Sequence, residues 1–154
     1  MHKTIHLVII VITTLLIGCV NNKDFTMSES KLIEKALRLD HKEKNYNEAF
    51  KYYLLAAKKG NDVALNNLGY MYELGKGVKQ DYQKSLYYYN KASLLDKDGV
   101  SLHNLSRLYL NGLGVEKSKE KALFFLKKSA DLGNKQAMND LYWLTKSDSE
   151  SEHK

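Results

Sequence analysis

Serine and lysine stand three residues apart at three places in the chain, a spacing that can bring a nucleophilic hydroxyl beside a base. The pairs are Ser28 with Lys31, Ser118 with Lys121, and Ser151 with Lys154. Because the 154 residues include 11 serines and 22 lysines, chance alone produces one or two such pairs. The Lys-Thr-Gly and Ser-Asp-Asn signatures that accompany such a serine in some hydrolases are absent from the sequence. The pairs are therefore weak evidence for serine-based hydrolysis.

The histidines and the single cysteine do not form the pattern of a metal site. His41, His103 and His153 are far apart, and His2 and His6 precede an apolar segment that we expect to be removed. A single cysteine also excludes an intramolecular disulfide. We predict a non-enzymatic protein with no catalytic residue, no metal and no cofactor.

The cysteine ends an apolar run near the N-terminus. A short basic start is followed by the apolar residues 7–17 and then by Gly18 and Cys19. Since a membrane-spanning helix needs about 20 apolar residues, this run favours a signal peptide over a permanent anchor. The order Leu-x-Gly-Cys resembles the lipobox of bacterial lipoproteins, in which the peptide is cut before the cysteine and the thiol is acylated. The resemblance implies a lipoprotein signal peptide at residues 1–18 and lipid attachment at Cys19. An uncleaved anchor is the alternative.

The residue after the cysteine bears on the destination of the protein. The residue after the cysteine is Val20 rather than aspartate, and in this the sequence resembles lipoproteins that are sent to an outer membrane. Acyl chains contribute about 0.8 kcal/mol per buried methylene, so two or three chains hold a protein on a bilayer. We therefore expect an exported protein, anchored to the membrane through lipidated Cys19 and facing the periplasm, with residues 19–27 as a polar tether.

An internal repeat organises the rest of the chain. The stretch from Leu68 to Val78 recurs 37 residues later as the stretch from Leu105 to Val115. Leucines and a tyrosine at helical spacing predict a first helix in each unit. This helix is expected to end at a left-handed glycine, which is Gly75 in the earlier copy. Asp81 and Ser118 are predicted N-caps of the second helices. Each unit is therefore expected to be an antiparallel helical hairpin.

The order A-x-x-x-L-G-x-x-Y-x-x-G-x-G-V, followed by a cap, K-A and an aromatic pair, resembles the Sel-1-like repeat, a relative of the tetratricopeptide repeat. The resemblance implies an all-α fold, a short right-handed α/α solenoid of stacked helical hairpins. We place the solenoid at residues 28–146, with full repeats at about 64–97 and 101–133 and partial units on both sides. The polar residues 147–154 are predicted to form a disordered tail.

Positions of the first helices that do not repeat are free to be selected by a partner. The partner-binding residues predicted in this way are Asn66, Tyr70, Glu73, His103, Arg107, Asn139 and Trp143. Tyr70, Arg107 and Trp143 occupy the same place in successive units, and these residue types often dominate binding energy. The alternative is structural, since Tyr70 could pack on a neighbouring helix and Trp143 could cap the last one.

Aromatic residues that recur by position are instead predicted to lie in the core. They are Tyr52, Tyr53, Tyr72, Tyr88, Tyr89, Tyr109 and Phe125. Tyr87 and Phe124 take a position that also accepts Lys51, so we expect them to be exposed and to form a secondary contact surface.

The net charge of +6 does not indicate a nucleic-acid partner, because the lysines are interspersed with acidic residues and export would separate the domain from nucleic acid. We predict a monomeric protein–protein interaction module. Small exported lipoproteins with such repeats resemble periplasmic immunity proteins that neutralise a type VI secretion effector, such as a phospholipase, and also adaptors of envelope assemblies. A serine hydrolase or β-lactamase-like enzyme is the least favoured alternative.

Overall fold

The computed structural model describes residue 24 and residues 26–151. The predicted signal peptide and Cys19 lie outside the described residues, as does most of the predicted tether. None of the helices in the described part of the chain combines the length and the hydropathy needed to cross a membrane.

Seven α-helices make up the described region, which contains no strand. A π-helical segment at Arg38–Lys42 follows the first helix directly. The helices are α1 (Glu29–Leu37), α2 (Tyr46–Lys58), α3 (Asp62–Leu74), α4 (Tyr82–Ser93), α5 (Val100–Asn111), α6 (Lys119–Asp131) and α7 (Lys135–Ser151).

Each helix packs on the next one along the chain, from α1 against α2 to α6 against α7. The first helices of the units are α1, α3, α5 and α7, and the second helices are α2, α4 and α6. This arrangement confirms the predicted all-α solenoid of helical hairpins.

A small residue in α3 allows the second helix of its unit to approach closely. A Cβ atom added to Gly69 would lie 2.6 Å from the ring of Tyr89, which is fully buried. Ser106 takes the same place in α5 and is also buried.

The turns after α3 and α5 contain two left-handed glycines each, of which Gly75 and Gly112 end the helices as predicted. The second glycines have an additional role that the sequence did not reveal. A Cβ atom on Gly77 would lie 2.5 Å from the carbonyl group of Tyr46, and one on Gly114 would lie 2.7 Å from the carbonyl carbon of Tyr82. Since Tyr46 and Tyr82 begin the second helices of the preceding units, these glycines permit backbone contact between repeats.

Side-chain caps begin most of the helices. The predicted caps are confirmed, because Asp81 accepts a hydrogen bond from the Lys84 amide (3.0 Å) and Ser118 accepts one from the Lys121 amide (3.2 Å). Asn61 and Asn134 cap α3 and α7 in the same way. Ser118 is therefore a helix cap in this structure.

The recurring aromatic residues occupy two kinds of environment. Tyr52, Tyr53 and Tyr89 are buried as predicted. Tyr72 instead stacks on Tyr88, with ring centroids 5.6 Å apart, at a half-buried position on the edge of the core. Tyr109 and Phe125 form the corresponding stack of the next unit, with a 5.4 Å separation.

The two ends of the solenoid differ from the sequence-based boundaries. Met27, which we assigned to the tether, packs against the core, and the Asp24 carboxylate lies 3.9 Å from the Lys35 amine. Helix α7 continues to Ser151 and so includes residues 147–151, which were assigned to the tail. These residues include no glycine or proline to end the helix, and extending an existing helix costs little compared with nucleating one.

The glycine contact between repeats gives a stability prediction. Gly77→Ala combines a positive φ with a clash against backbone, whereas Gly60→Ala has a positive φ but open space around the new methyl group. We expect Gly77→Ala to lower the free energy of unfolding by about 1–3 kcal/mol more than Gly60→Ala. Urea unfolding followed by circular dichroism measures the difference, and equal losses would contradict the proposed contact.

Candidate partner-binding surface

The predicted binding residues lie on α3, α5 and α7, and several of them connect these helices to one another. The Asn66 side-chain oxygen accepts a hydrogen bond from Asn104 (3.0 Å) and one from Ser101 (3.3 Å). His103 Nε2 lies 2.8 Å from a carboxylate oxygen of Asp140. Adjacent first helices are thus joined by polar contacts. We call the face that they share the first-helix surface.

Glu73 lies inside the contact between repeats and is only 3% exposed. The Tyr89 hydroxyl donates to one of its carboxylate oxygens (2.8 Å), and Arg107 Nη2 donates to the other (2.6 Å). Glu73 was predicted to contact a partner, but both of its oxygens are engaged within the chain. Its role in this structure is to connect α3, α4 and α5.

The same network fixes Arg107. Its Nη1 atom donates to the Asn104 side-chain oxygen (3.2 Å), in addition to the ion pair between Nη2 and Glu73. The guanidinium group is therefore held in one orientation while part of it remains accessible to solvent.

A cleft of about 380 Å³ opens between α5 and α7. The Trp143 side chain at its edge is 57% exposed, and its ring packs edge-on against Tyr142 with centroids 5.1 Å apart. Two predicted residues, Arg107 and Trp143, thus line the same cavity. The lining residues are Ser106, Arg107, Leu110, Leu126, Asp140, Trp143 and Leu144.

The repeat register explains why the cleft exists. In the joint between the second and third units, Glu73 pairs with Arg107 across the repeats. The equivalent positions of the next joint are Leu110 and Trp143, which cannot form an ion pair and which line the cleft. An ion pair in one joint is therefore replaced by two apolar side chains in the next.

Tyr70 and Asn139 are not among the residues that line the cleft. Tyr70 is half-buried against the cluster of Tyr89, Leu105 and Leu108, and the Lys76 amine lies 4.8 Å from the centroid of its ring. Packing on a neighbouring helix, the alternative considered for Tyr70, therefore accounts for at least part of its role. Asn139 is exposed on α7.

Asp140, Leu126 and Ser106 also line this cleft and were not predicted. His103 and Asp140 take the places that Asn66 and Asn104 hold in the preceding joint, so polar residues at equivalent places were a detectable signal for a contact between units. Leu126 belongs to a second helix, and Ser106 is a buried residue of α5. Their position in the cleft depends on how the units stack.

No group of histidine, cysteine, aspartate and glutamate residues in the described region has the arrangement of a metal site. Of the serines in the Ser-x-x-Lys pairs, Ser118 caps α6 and the Ser28 hydroxyl lies 3.1 Å from that of Ser30. The surface described above offers shape, apolar contact and fixed charge, which are properties of a binding site.

The fold and this surface define an α-helical repeat protein of the interaction-scaffold class. The profile of the Sel1 repeat matches residues 33–61, 62–97 and 99–134, and the chain belongs to that family. Sel1 repeats mediate protein–protein interaction. The match at 33–61 covers a unit that lacks the paired glycines and that was predicted to be a partial one.

Solved structures agree with this assignment. A Sel1 repeat protein from Oxalobacter formigenes is 28% identical with a TM-score of 0.69, covering 74% of this chain and 47% of its own length. Helicobacter pylori cysteine rich protein B is 28% identical with a TM-score of 0.64, covering 80% of this chain and 98% of its own. A protective antigen of uropathogenic Escherichia coli with the same fold is 24% identical, with a TM-score of 0.72.

The chain spans about half the length of the Oxalobacter protein. The match with the Escherichia protein covers 77% of this chain but only 26% of that protein. A comparison with proteins of curated function gave no match.

The buried tyrosines predict that the fold loses stability at alkaline pH. Burial and the nearby carboxylates of Asp40 and Glu73 raise the pKa of Tyr53 and the pKa of Tyr89, respectively. The folded state therefore retains these protons after the unfolded chain has released them. The two tyrosines therefore make their full contribution to the free energy of unfolding below the ordinary tyrosine pKa of about 10. That contribution decreases as the pH rises beyond this value.

Urea unfolding at about pH 8 and about pH 11 tests this prediction, with the Tyr53→Phe/Tyr89→Phe variant as control. The variant should be less stable at the lower pH by about 1–3 kcal/mol for each lost hydrogen bond, and its stability should change less with pH. An identical pH dependence in the two proteins would contradict the assignment.

Proposed function

We propose that this chain is a non-enzymatic protein-interaction module, tethered to a membrane, whose first-helix surface binds a partner protein at the cleft between α5 and α7. The observation that carries the proposal is the placement of Trp143 and Leu110 in one cavity beside the oriented guanidinium group of Arg107.

The chemistry of the cleft suits a protein partner. Tryptophan and arginine are over-represented among residues that dominate interface energy, particularly where they line a pocket. Arg107 is already held by Glu73 and Asn104, so binding does not have to order it. A partner side chain that is apolar at its tip and carries an acceptor group could contact Trp143, Leu110 and the free edge of Arg107 together.

The membrane tether is the part of the proposal that rests on sequence. The resemblance of residues 16–19 to a lipobox supports export and acylation of Cys19, and Val20 supports an outer-membrane position facing the periplasm. The Met27 contact with the core supports a short connection between the solenoid and the bilayer.

Within this class we propose a periplasmic immunity protein that neutralises a toxic effector, such as a phospholipase delivered by type VI secretion. The predicted export of the chain and a cleft whose arginine is held in one orientation support this role. An adaptor in an envelope assembly is the alternative, and it predicts weaker binding and a phenotype in the absence of any toxin.

Replacing Leu110 and Trp143 by alanine tests the binding surface. Both side chains line the cleft and neither takes part in the Glu73 network, so the fold should be retained while the partner is lost. Removing interface residues of this kind costs about 2 kcal/mol or more each, so capture from envelope extracts should fall at least about 30-fold.

Phe124→Ala is the matched control, because this aromatic side chain is equally exposed but lies on a second helix. The full chain in detergent is used for all variants, and circular dichroism verifies that each is folded. Loss of the partner in the control but not in the double variant would place the binding site elsewhere.

A competition assay separates the two roles. If the protein confers immunity, cells that lack the gene should be killed by sister cells that carry the gene. The wild-type gene should rescue the sensitive cells, and the Leu110→Ala/Trp143→Ala version should not. Equal survival in every pairing, together with an envelope defect in isolated cells, would favour the adaptor.

A further inference from the structure

The second helices present a repeated pattern that the proposed partner-binding cleft does not use. In α4, Lys84, Tyr87 and Lys91 follow one another at spacings of three and four residues, and in α6 Lys121, Phe124 and Lys128 do the same. Because such spacings place side chains on one face of a helix, each set forms a stripe along its helix. We call the two stripes together the second-helix surface.

The aromatic side chains of this surface are exposed, Tyr87 by 52% and Phe124 by 53%. In each stripe a lysine amine lies close to the exposed ring. The Lys91 amine is 4.8 Å from the centroid of Tyr87, and the Lys128 amine is 4.5 Å from that of Phe124. An apolar ring and a positive charge therefore reach the solvent together, twice, at the spacing of the repeat.

Charge is distributed unequally between the two helix layers. Helix α4 contains Lys84 and Lys91 and no acidic residue, although its N-cap Asp81 forms an ion pair with Lys84 (3.5 Å). Helix α6 contains four lysines against Glu120 and Asp131. Helix α3 instead contains Asp62 and Glu73 and no basic residue. The positive charge of the full repeats is thus concentrated on the second helices, beside the exposed rings.

This combination matches the interface of a membrane. Aromatic rings enter the zone between headgroups and acyl chains, while the lysine stem follows apolar surface and its amine stays in water. Each lysine near an anionic bilayer contributes about 1 kcal/mol of attraction.

The two stripes are also nearly identical, whereas the first-helix surface carries Tyr70, Arg107 and Trp143 at one position. A surface that repeats the same contact suits a uniform target such as a bilayer, and a surface with different residues suits a particular protein.

We propose that the second-helix surface docks on the anionic phospholipid headgroups of a bilayer and so turns the first-helix surface toward its partner. This inference does not depend on which protein binds the cleft.

The single tryptophan of the chain makes a test of orientation possible. In the wild type, Trp143 reports on the first-helix surface. In Trp143→Phe/Tyr87→Trp and Trp143→Phe/Phe124→Trp, the new tryptophan reports on the second-helix surface. The full chain is added to phosphatidylglycerol vesicles whose acyl chains carry bromine, which quenches tryptophan fluorescence at short range. The apolar residues 7–17 are common to all variants, so differences in quenching report which face meets the bilayer.

We expect the tryptophans at positions 87 and 124 to lose most of their fluorescence and Trp143 to lose little. Adding Lys91→Glu and Lys128→Glu, or replacing phosphatidylglycerol by phosphatidylcholine, should remove the quenching at positions 87 and 124. Equal quenching at all three positions, quenching that is insensitive to lipid charge, or no quenching at positions 87 and 124 would overturn the proposal. Circular dichroism establishes that each variant is folded. If the true ligand of this surface is an acidic protein, positions 87 and 124 should show no quenching.

Discussion

The buried carboxylate of Glu73 is the interaction on which the arrangement of the full repeats depends. It receives hydrogen bonds from Tyr89 in the same unit and from Arg107 in the next, so one side chain joins three helices. A carboxylate removed from water is costly unless it is paired, and the native stacking of the units supplies both partners. The same contact orients Arg107 beside the cleft. The stacking of the full repeats and the orientation of Arg107 beside the cleft therefore depend on one network.

Most of the fold could be predicted from the sequence because its causes are local. A helix cap at Ser118 and a left-handed residue at Gly75 act within a few residues of their own positions, and both recur at the repeat spacing. The contact of Gly77 with Tyr46 could not be predicted in this way. It joins two units and depends on the angle at which they stack, which no single repeat determines.

The candidate site was predictable only in part, and Glu73 shows why. Positions that vary between repeats were interpreted as free for a partner, but a position can also vary because one joint needs a particular pair. Glu73 and Arg107 form such a pair, whereas Leu110 and Trp143 take the equivalent places without one. Variation between repeats therefore marks both the internal pair and the residues that line the cleft. Distinguishing an internal pair from an open cleft required the distance between neighbouring units.

The contacts between units also limit how this protein could evolve by rearranging its repeats. The glycine contacts are made by backbone and are the same in both joints, so they would survive an exchange of the two full repeats. The Glu73 contact would not, because exchange would set this carboxylate against Trp143 instead of Arg107. A buried charge without its partner costs about 3–5 kcal/mol, a large fraction of the stability of a small domain. The repeats look like interchangeable modules, but their order in the chain is constrained by a single carboxylate.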